Sequence, residues 1–321
     1  MDTVFDKTSP FQTYKKLPNN QATGPGVIDA KGGLVILYKT LEALNHIEHN
    51  IGWTAIISTE EELGSPYSKP LLMKEAKNKE FALVFEPALD DGSIITQRPS
   101  STNLTIESFG KAAHAGRSID DGINAIDNLI AFLNTIQLNN LTNDTISNLG
   151  TFSGGERENV VPDYATCCLN IRSMDEAYLK KTLDDILDKA KQFNQTHNAN
   201  IKPNIDTFRP AKPLDKKTQA LYKKLENVAK EQNIPLSLQP SFGVCDGNFI
   251  TSVGTPVIDT LGPVGHGMHT ENETINLDSL VERIGLVVGL IVNYHNNWKN
   301  QVLSAINTNF IQNRAKKRNL P

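Results

Sequence analysis

Apolar residues recur at helical spacing over residues 31–49, through Leu34, Leu37, Leu41 and Leu44, and predict one amphipathic helix. Before it the chain reads as loop. Pro10, Pro18, Pro25 and a Gly24-Pro25-Gly26 turn punctuate residues 1–29. Two short apolar runs follow, residues 53–58 and 81–85, each predicted to be a strand, with helix between them over residues 68–77. This alternation of strand and helix predicts an α/β layer.

The middle of the chain is patterned differently. Residues 102–110 alternate as a strand, 122–137 form an amphipathic helix, and 145–152 and 164–172 are strands. Residues 175–193 form a helix with Leu179, Leu183 and Leu187 in step, and 201–208 are again a strand. The order β-α-β-β-α-β is the split βαβ arrangement of ferredoxin-like domains. After Pro210 the first pattern resumes: helix over 216–232, strands over 234–238 and 257–261, and a last helix over 277–295. The reading is therefore an α/β catalytic domain built from residues 1–99 and 209–321, into which an α+β unit of residues 100–208 is inserted. The polar tail from Lys299 carries a basic cluster, Arg314, Lys316, Lys317 and Arg318, and reads as solvated.

Composition narrows the function classes. With 39% hydrophobic and 21% charged residues the chain is ordinary globular material, and a net charge of -4 gives no drive towards nucleic acid or acidic membrane. No apolar run reaches the ~20 residues needed to span a bilayer. The first residues, MDTVFDKTSPFQ, lack the basic and apolar regions of a signal peptide, so a cytoplasmic location is expected. The three cysteines are too few and too poorly spaced for a disulfide framework; Cys167 and Cys168 fit small buried residues of a reduced protein.

Candidate chemistry lies where apolar strands end in acids. One run leads into Glu60-Glu61-Glu62 and another into Glu86-Pro87. In open α/β sheets ligands bind at the carboxyl ends of strands, and carboxylates gathered there repel one another unless a cation neutralises them. Asp29 follows a glycine-rich loop and His269 lies in another. Carboxylates with imidazole suit zinc or manganese. Taken alone, the Glu triplet equally fits an acidic helix start, and the histidine a solvent-facing loop.

The motifs GPGVIDAKGG, STEEELGS, FEP, GKAAHAG with GINAI, NVVP followed by NIR, FRPA, FGVCDG and GPVGHGMHTENE occur in one order from Met1 to about His295. Together they resemble the dizinc exopeptidase family of glutamate carboxypeptidase, acetylornithine deacetylase and succinyl-diaminopimelate desuccinylase. The resemblance implies a zinc-peptidase-like catalytic domain, a mixed sheet with flanking helices, and an inserted ferredoxin-like lid that makes a homodimer. It implies that Asp29 bridges two zinc ions, that Glu62 and His269 bind one and Glu86 the other, and that Glu61 is the general base. Asp2 would be the catalytic-side aspartate of a His-x-Asp motif. His114, Asn159, Arg172 and Gly243 would lie on the substrate side, and Arg209 would pair with a substrate carboxylate. The substrates implied are small peptides or N-acyl amino acids.

Two positions depart from the family pattern. The histidine of His-x-Asp would fall one residue before Met1, which implies a second zinc site short of its imidazole, and cobalt or manganese become alternatives to zinc. An inactive, truncated homologue acting only as a dimerising or binding protein is then the alternative expectation. Glutamate-releasing relatives carry a lysine eight residues after the FEP glutamate, where this chain has Ile94.

Overall fold

The computed structural model describes residues 2–47, 51–136, 138, 141 and 144–294. The basic tail cluster, His49 and His295 lie outside the described residues. The chain divides into two compact units, the first comprising Met1–Thr96, Leu214–Ser241 and Cys245–Pro321, the second Gln97–Pro213 and Phe242–Val244.

In chain order the first unit opens with β1 (Lys15–Leu17) and β2 (Gln21–Thr23), then α1 (Gly32–Asn45), α2 (Lys69–Ala76), β3 (Ala82–Leu83) and β4 (Ile94–Ile95). The second unit holds β5 (Ser100–Phe109), α3 (Ala125–Ile136), β6 (Thr145–Gly154), β7 (Tyr164–Ser173), α4 (Glu176–Thr196) and β8 (Asn200–Arg209). The first unit resumes with α5 (Lys216–Glu231), β9 (Leu238–Gln239), α6 (Gly247–Ser252), β10 (Val257–Ile258), β11 (Gly265–His266), β12 (Thr274–Asn276) and α7 (Leu277–Tyr294).

The first unit is α/β. β3 pairs with β10 and β4 with β9, both in parallel, while β1, β2, β12 and β11 make an antiparallel sheet in that order. Past β3 the pairing runs on: Val84 N donates to Ile258 O, and Gly262 N to Glu86 O, which holds the end of the Glu86 segment in place. Leu221, Leu225 and Val228 of α5 pack with Leu286, Val287 and Leu290 of α7 in one apolar cluster; Ile36 and Leu44 of α1 meet Ile284, Val288 and Val292 of α7 in another. Gly33 lets α1 approach β3 closely, since a Cβ there would lie 2.1 Å from the Phe85 carbonyl oxygen.

The second unit has all neighbours antiparallel in the order β6-β7-β5-β8. Each helix therefore connects two strands with a third between them, the split βαβ order. α3 and α4 cover one face, burying Leu129, Phe132, Leu179, Leu183 and Ile186 against Leu104, Ile106, Cys167, Leu169 and Ile171.

Several predicted elements are revised. Residues 1–29 are not all loop, because the β1–β2 hairpin adds to β12 through Thr23↔Thr274, Ala22↔Ile275 and Gln21↔Asn276. Residues 53–58 form no strand: they have no ladder partner among the described residues, and Trp53 and Ile57 are 50% and 56% exposed. An apolar run needs a neighbouring strand before it becomes one. The strand predicted over 234–238 shrinks to β9. α3 starts at Ala125 rather than near Gly122 because the Asn124 side chain caps it, accepting from Ile126 N at 3.0 Å and Asp127 N at 3.2 Å.

Candidate metal centre

Three loops of the first unit bring acids and an imidazole together. The loop before α1 carries Asp29, whose peptide bond to Ala30 is cis. The turn Glu61–Leu63 carries Glu62, and the loop after β11 carries His269, in a left-handed conformation with φ 64°. One ligand atom from each of Asp29, Glu62 and His269 lies within 4.8 Å of the others. His269 Nε2 is 3.0 Å from Asp29 Oδ2 and 3.6 Å from Glu62 Oε2. Burial pushes the Asp29 carboxyl above its usual range, with His269 acting in the opposite direction. Glu62 is pushed up to about 7, first by burial and then by the Asp29 charge. Carboxylates this close are held neutral or shared with a cation.

The Glu triplet separates into three different roles. Glu60 turns away and accepts hydrogen bonds from Tyr67 N, at 2.8 Å, and from Ser68 N, closing the turn that leads into α2. Burial would raise its carboxyl, but these bonds bring it below the usual range. Glu62 joins the cluster. Glu61 is half-buried and lines a cavity of about 530 Å³ whose wall also includes Asp2, Asp29, Glu62 and Glu86. Glu86 is therefore on the same cavity as Asp29 and Glu62 but outside the three-residue group. Asp2 Oδ2 accepts the Glu62 N–H at 3.0 Å, fixing the backbone of a cluster residue.

The candidate substrate-side residues lie in the second unit. His114 and Asn159 are exposed neighbours: Ala115 N donates to Asn159 O at 3.0 Å, and His114 bridges to Val160. His114 Nδ1 accepts from Gly116 N at 3.1 Å, so in the neutral ring Nε2 carries the proton. Arg172 Nη1 donates to Phe242 O at 2.8 Å and Nε to Asn170 Oδ1 at 2.9 Å, and Gly243 follows Phe242 in the chain. Burial, then the nearby Arg209 charge, lowers the Arg172 pKa.

The residue that sequence reading passed over is Glu273. It is 1% exposed, and its carboxylate accepts from Gly26 N at 2.8 Å, Ile28 N at 2.9 Å and Asp29 N at 3.1 Å. Its place at the end of the GMHTENE motif was the available signal.

The model for peptidase family M20/M25/M40 matches residues 1–293 of the chain. Carboxypeptidase G2 from Pseudomonas sp. (strain RS-16) is 26% identical over 298 residues, covering 91% of this chain and 72% of that protein. The uncharacterized protein YqjE from Bacillus subtilis (strain 168) is 26% identical over 270 residues, covering 82% and 70%. Among solved structures, aminopeptidase PepT from Bacillus cereus superposes with a TM-score of 0.74 at 22% identity, covering 88% of this chain and 76% of that one. A tripeptidase from Staphylococcus aureus gives 0.72 at 21% identity, covering 87% and 75%. At such identity the structural likeness speaks for the fold. No helix among the described residues is long and apolar enough to cross a membrane.

Proposed function

We propose that this chain, which belongs to peptidase family M20/M25/M40, hydrolyses an amide bond next to a substrate carboxylate, in a small peptide or an N-acyl amino acid. It is a metal-dependent hydrolase of the peptidase and amidohydrolase kind. The observation that carries the reading is the convergence of Asp29, Glu62 and His269 within 4.8 Å, where Asp29 and Glu62 also line a cavity that Glu61 shares.

Two carboxylates and one imidazole are a donor set for zinc, with cobalt and manganese as alternatives. Glu62 and His269 would hold one ion with Asp29, and Glu86 would hold a second beside it. When bound, such ions polarise the scissile carbonyl and acidify water. Glu61 takes the proton of the attacking water and returns it to the leaving nitrogen as the C–N bond breaks. Asp2 keeps the Glu62 backbone in place through the 3.0 Å bond from Glu62 N. Arg209 pairs with the substrate carboxylate, a bidentate contact suited to a guanidinium, and Arg172, His114, Asn159 and Gly243 are assigned to the substrate side. Ile94 is fully buried in β4, so that position offers the substrate no charge.

The test is turnover of N-acyl amino acids and dipeptides with added zinc. Glu61→Gln should keep its zinc-induced thermal shift and lose ~10²–10⁴-fold in rate, the usual worth of a general base. Equal turnover by the variant and the native chain would overturn the role of Glu61. Zinc binding without turnover by the native chain would favour a dimerising or binding protein instead.

A further inference from the structure

We infer that Glu273 is a positioning residue, a clamp that locks the Asp29 loop to the His269 loop so that the two side chains stand together before any ion arrives. The inference rests on the metal-centre reading above and deepens it.

Asp29 and His269 come from segments far apart in the chain, Asp29 from a kinked helical turn with its own backbone non-helical, His269 from a loop. Something must hold both at once. The β2–β12 ladder brings the two strands side by side, with Thr23 opposite Thr274. It ends there, and the clamp takes over at the next residue. Glu273 sends its backbone oxygen to Thr23 Oγ1, which donates at 2.7 Å. Its carboxylate then reaches across: Oε2 takes Gly26 N, and Oε1 takes both Ile28 N and Asp29 N. Gly26 has φ 69°, a left-handed backbone, and so belongs to the turn that aims these amides at one carboxylate.

On its own side Glu273 is tied to His269 through a tight turn. Glu273 N donates to Thr270 O at 3.1 Å, Thr270 Oγ1 donates to Gly267 O at 2.7 Å, and Asn272 N donates to Thr270 Oγ1 at 3.2 Å. The turn has no slack, since a Cβ on Gly267 would lie 2.5 Å from Asn272 O. Moving Glu273 therefore moves His269.

Glu273 is not a ligand. It is 1% exposed and both its oxygens already receive N–H groups. An acceptor lost here leaves three amides unsatisfied, two of them in buried hydrogen bonds, and the Asp29 loop has a reason to rearrange. Glutamine is the sharp replacement: it keeps the shape and one acceptor oxygen but turns an N–H₂ group towards N–H donors.

Two measurements test the clamp. The first uses metal-free protein: amide hydrogen exchange at Gly26, Ile28 and Asp29. These amides should be protected in the native chain and exchange faster in Glu273→Gln, while Glu271→Gln, an exposed neighbour, leaves them unchanged. The second is titration with cobalt(II), followed by its visible absorption, on variants shown to be folded by circular dichroism. Glu273→Gln should weaken cobalt binding by ~10–100-fold, the usual effect of changing a group that orients a ligand, and alter the absorption bands. Native affinity and bands in a folded Glu273→Gln would overturn the inference and leave Glu273 a purely structural carboxylate. So would unprotected amides in the native chain. If the native chain binds no cobalt while its amides are protected and released by the substitution, the clamp stands and the metal-centre reading fails.

Discussion

His269 Nε2 lies 3.0 Å from Asp29 Oδ2, across 240 residues of chain. The two residues flank the pairing of β2 with β12, so the candidate metal centre rests on the sheet that this pairing makes.

The first prediction concerns pH. In the metal-free chain Glu62 is pushed up to about 7 from the usual 4.5, by burial first and then by Asp29. A carboxyl with a raised folded pKa holds its proton where the unfolded chain has released it. Stability is therefore present at low pH and falls as pH rises from about 4.5 to about 7. Thermal melting in the presence of chelator should show this fall, Glu62→Gln should flatten it, and zinc at pH above the window should restore what the native chain lost. Identical profiles for the native chain and the variant would remove Glu62 as the cause.

Glu60 has a different fate from its neighbours. Glu60→Ala should lower the melting temperature by a few degrees, because the turn into α2 loses the acceptor for Tyr67 N and Ser68 N. Cobalt affinity should stay as in the native chain. A large loss of affinity would place Glu60 in the metal centre and refute the separation of the triplet.

The second unit is expected to pair with a second copy. β6 is an edge strand with Leu149 and Phe152 exposed, at 47% and 41%, and an open apolar edge invites another strand. Light scattering should return a dimer mass, and the double variant Leu149→Lys, Phe152→Lys should return a monomer that remains folded. A monomer mass for the native chain would end this expectation.

The cysteines give a fourth test. Burial first, and then Cys168, pushes the Cys167 thiol up to about 11, and Cys245 is buried with Sγ donating to Asp259 Oδ2 at 3.4 Å. Thiolate is the reactive form, so iodoacetamide at mildly alkaline pH should leave both untouched in native protein and modify both after unfolding. Mass spectrometry that found Cys167 alkylated first would show that the β5–β7 core opens easily.

The elements most legible in the sequence are those whose burial is local. β7 alternates buried and half-buried along Tyr164–Ser173 because helices cover one face only, and Leu179, Leu183 and Ile186 place α4 against that face. The β1–β2 hairpin was not legible: three-residue strands carry no period, and the partner that stabilises them, β12, is remote. Residues 53–58 misled for the opposite reason, being apolar with no ladder beside them. At the site, Asp29, Glu62 and His269 could be picked out by residue type and motif. Glu273 stands in the GMHTENE motif, but its task could not be read there, because it is done on amides 244 to 247 residues away, and a backbone N–H has no letter in a sequence.

Glu61 and Glu62 open the short turn Glu61–Leu63, and Glu60 precedes it with an extended φ of -151°. Three identical letters thus face a helix start, a cavity wall and an acid–imidazole cluster. Anyone comparing this stretch with another chain must align it without a gap, since a slip of one position exchanges the acceptor for Tyr67 N and Ser68 N for the cavity-lining glutamate proposed as the base, while every letter still matches. A codon gained or lost here would leave the composition almost untouched and rewrite the chemistry.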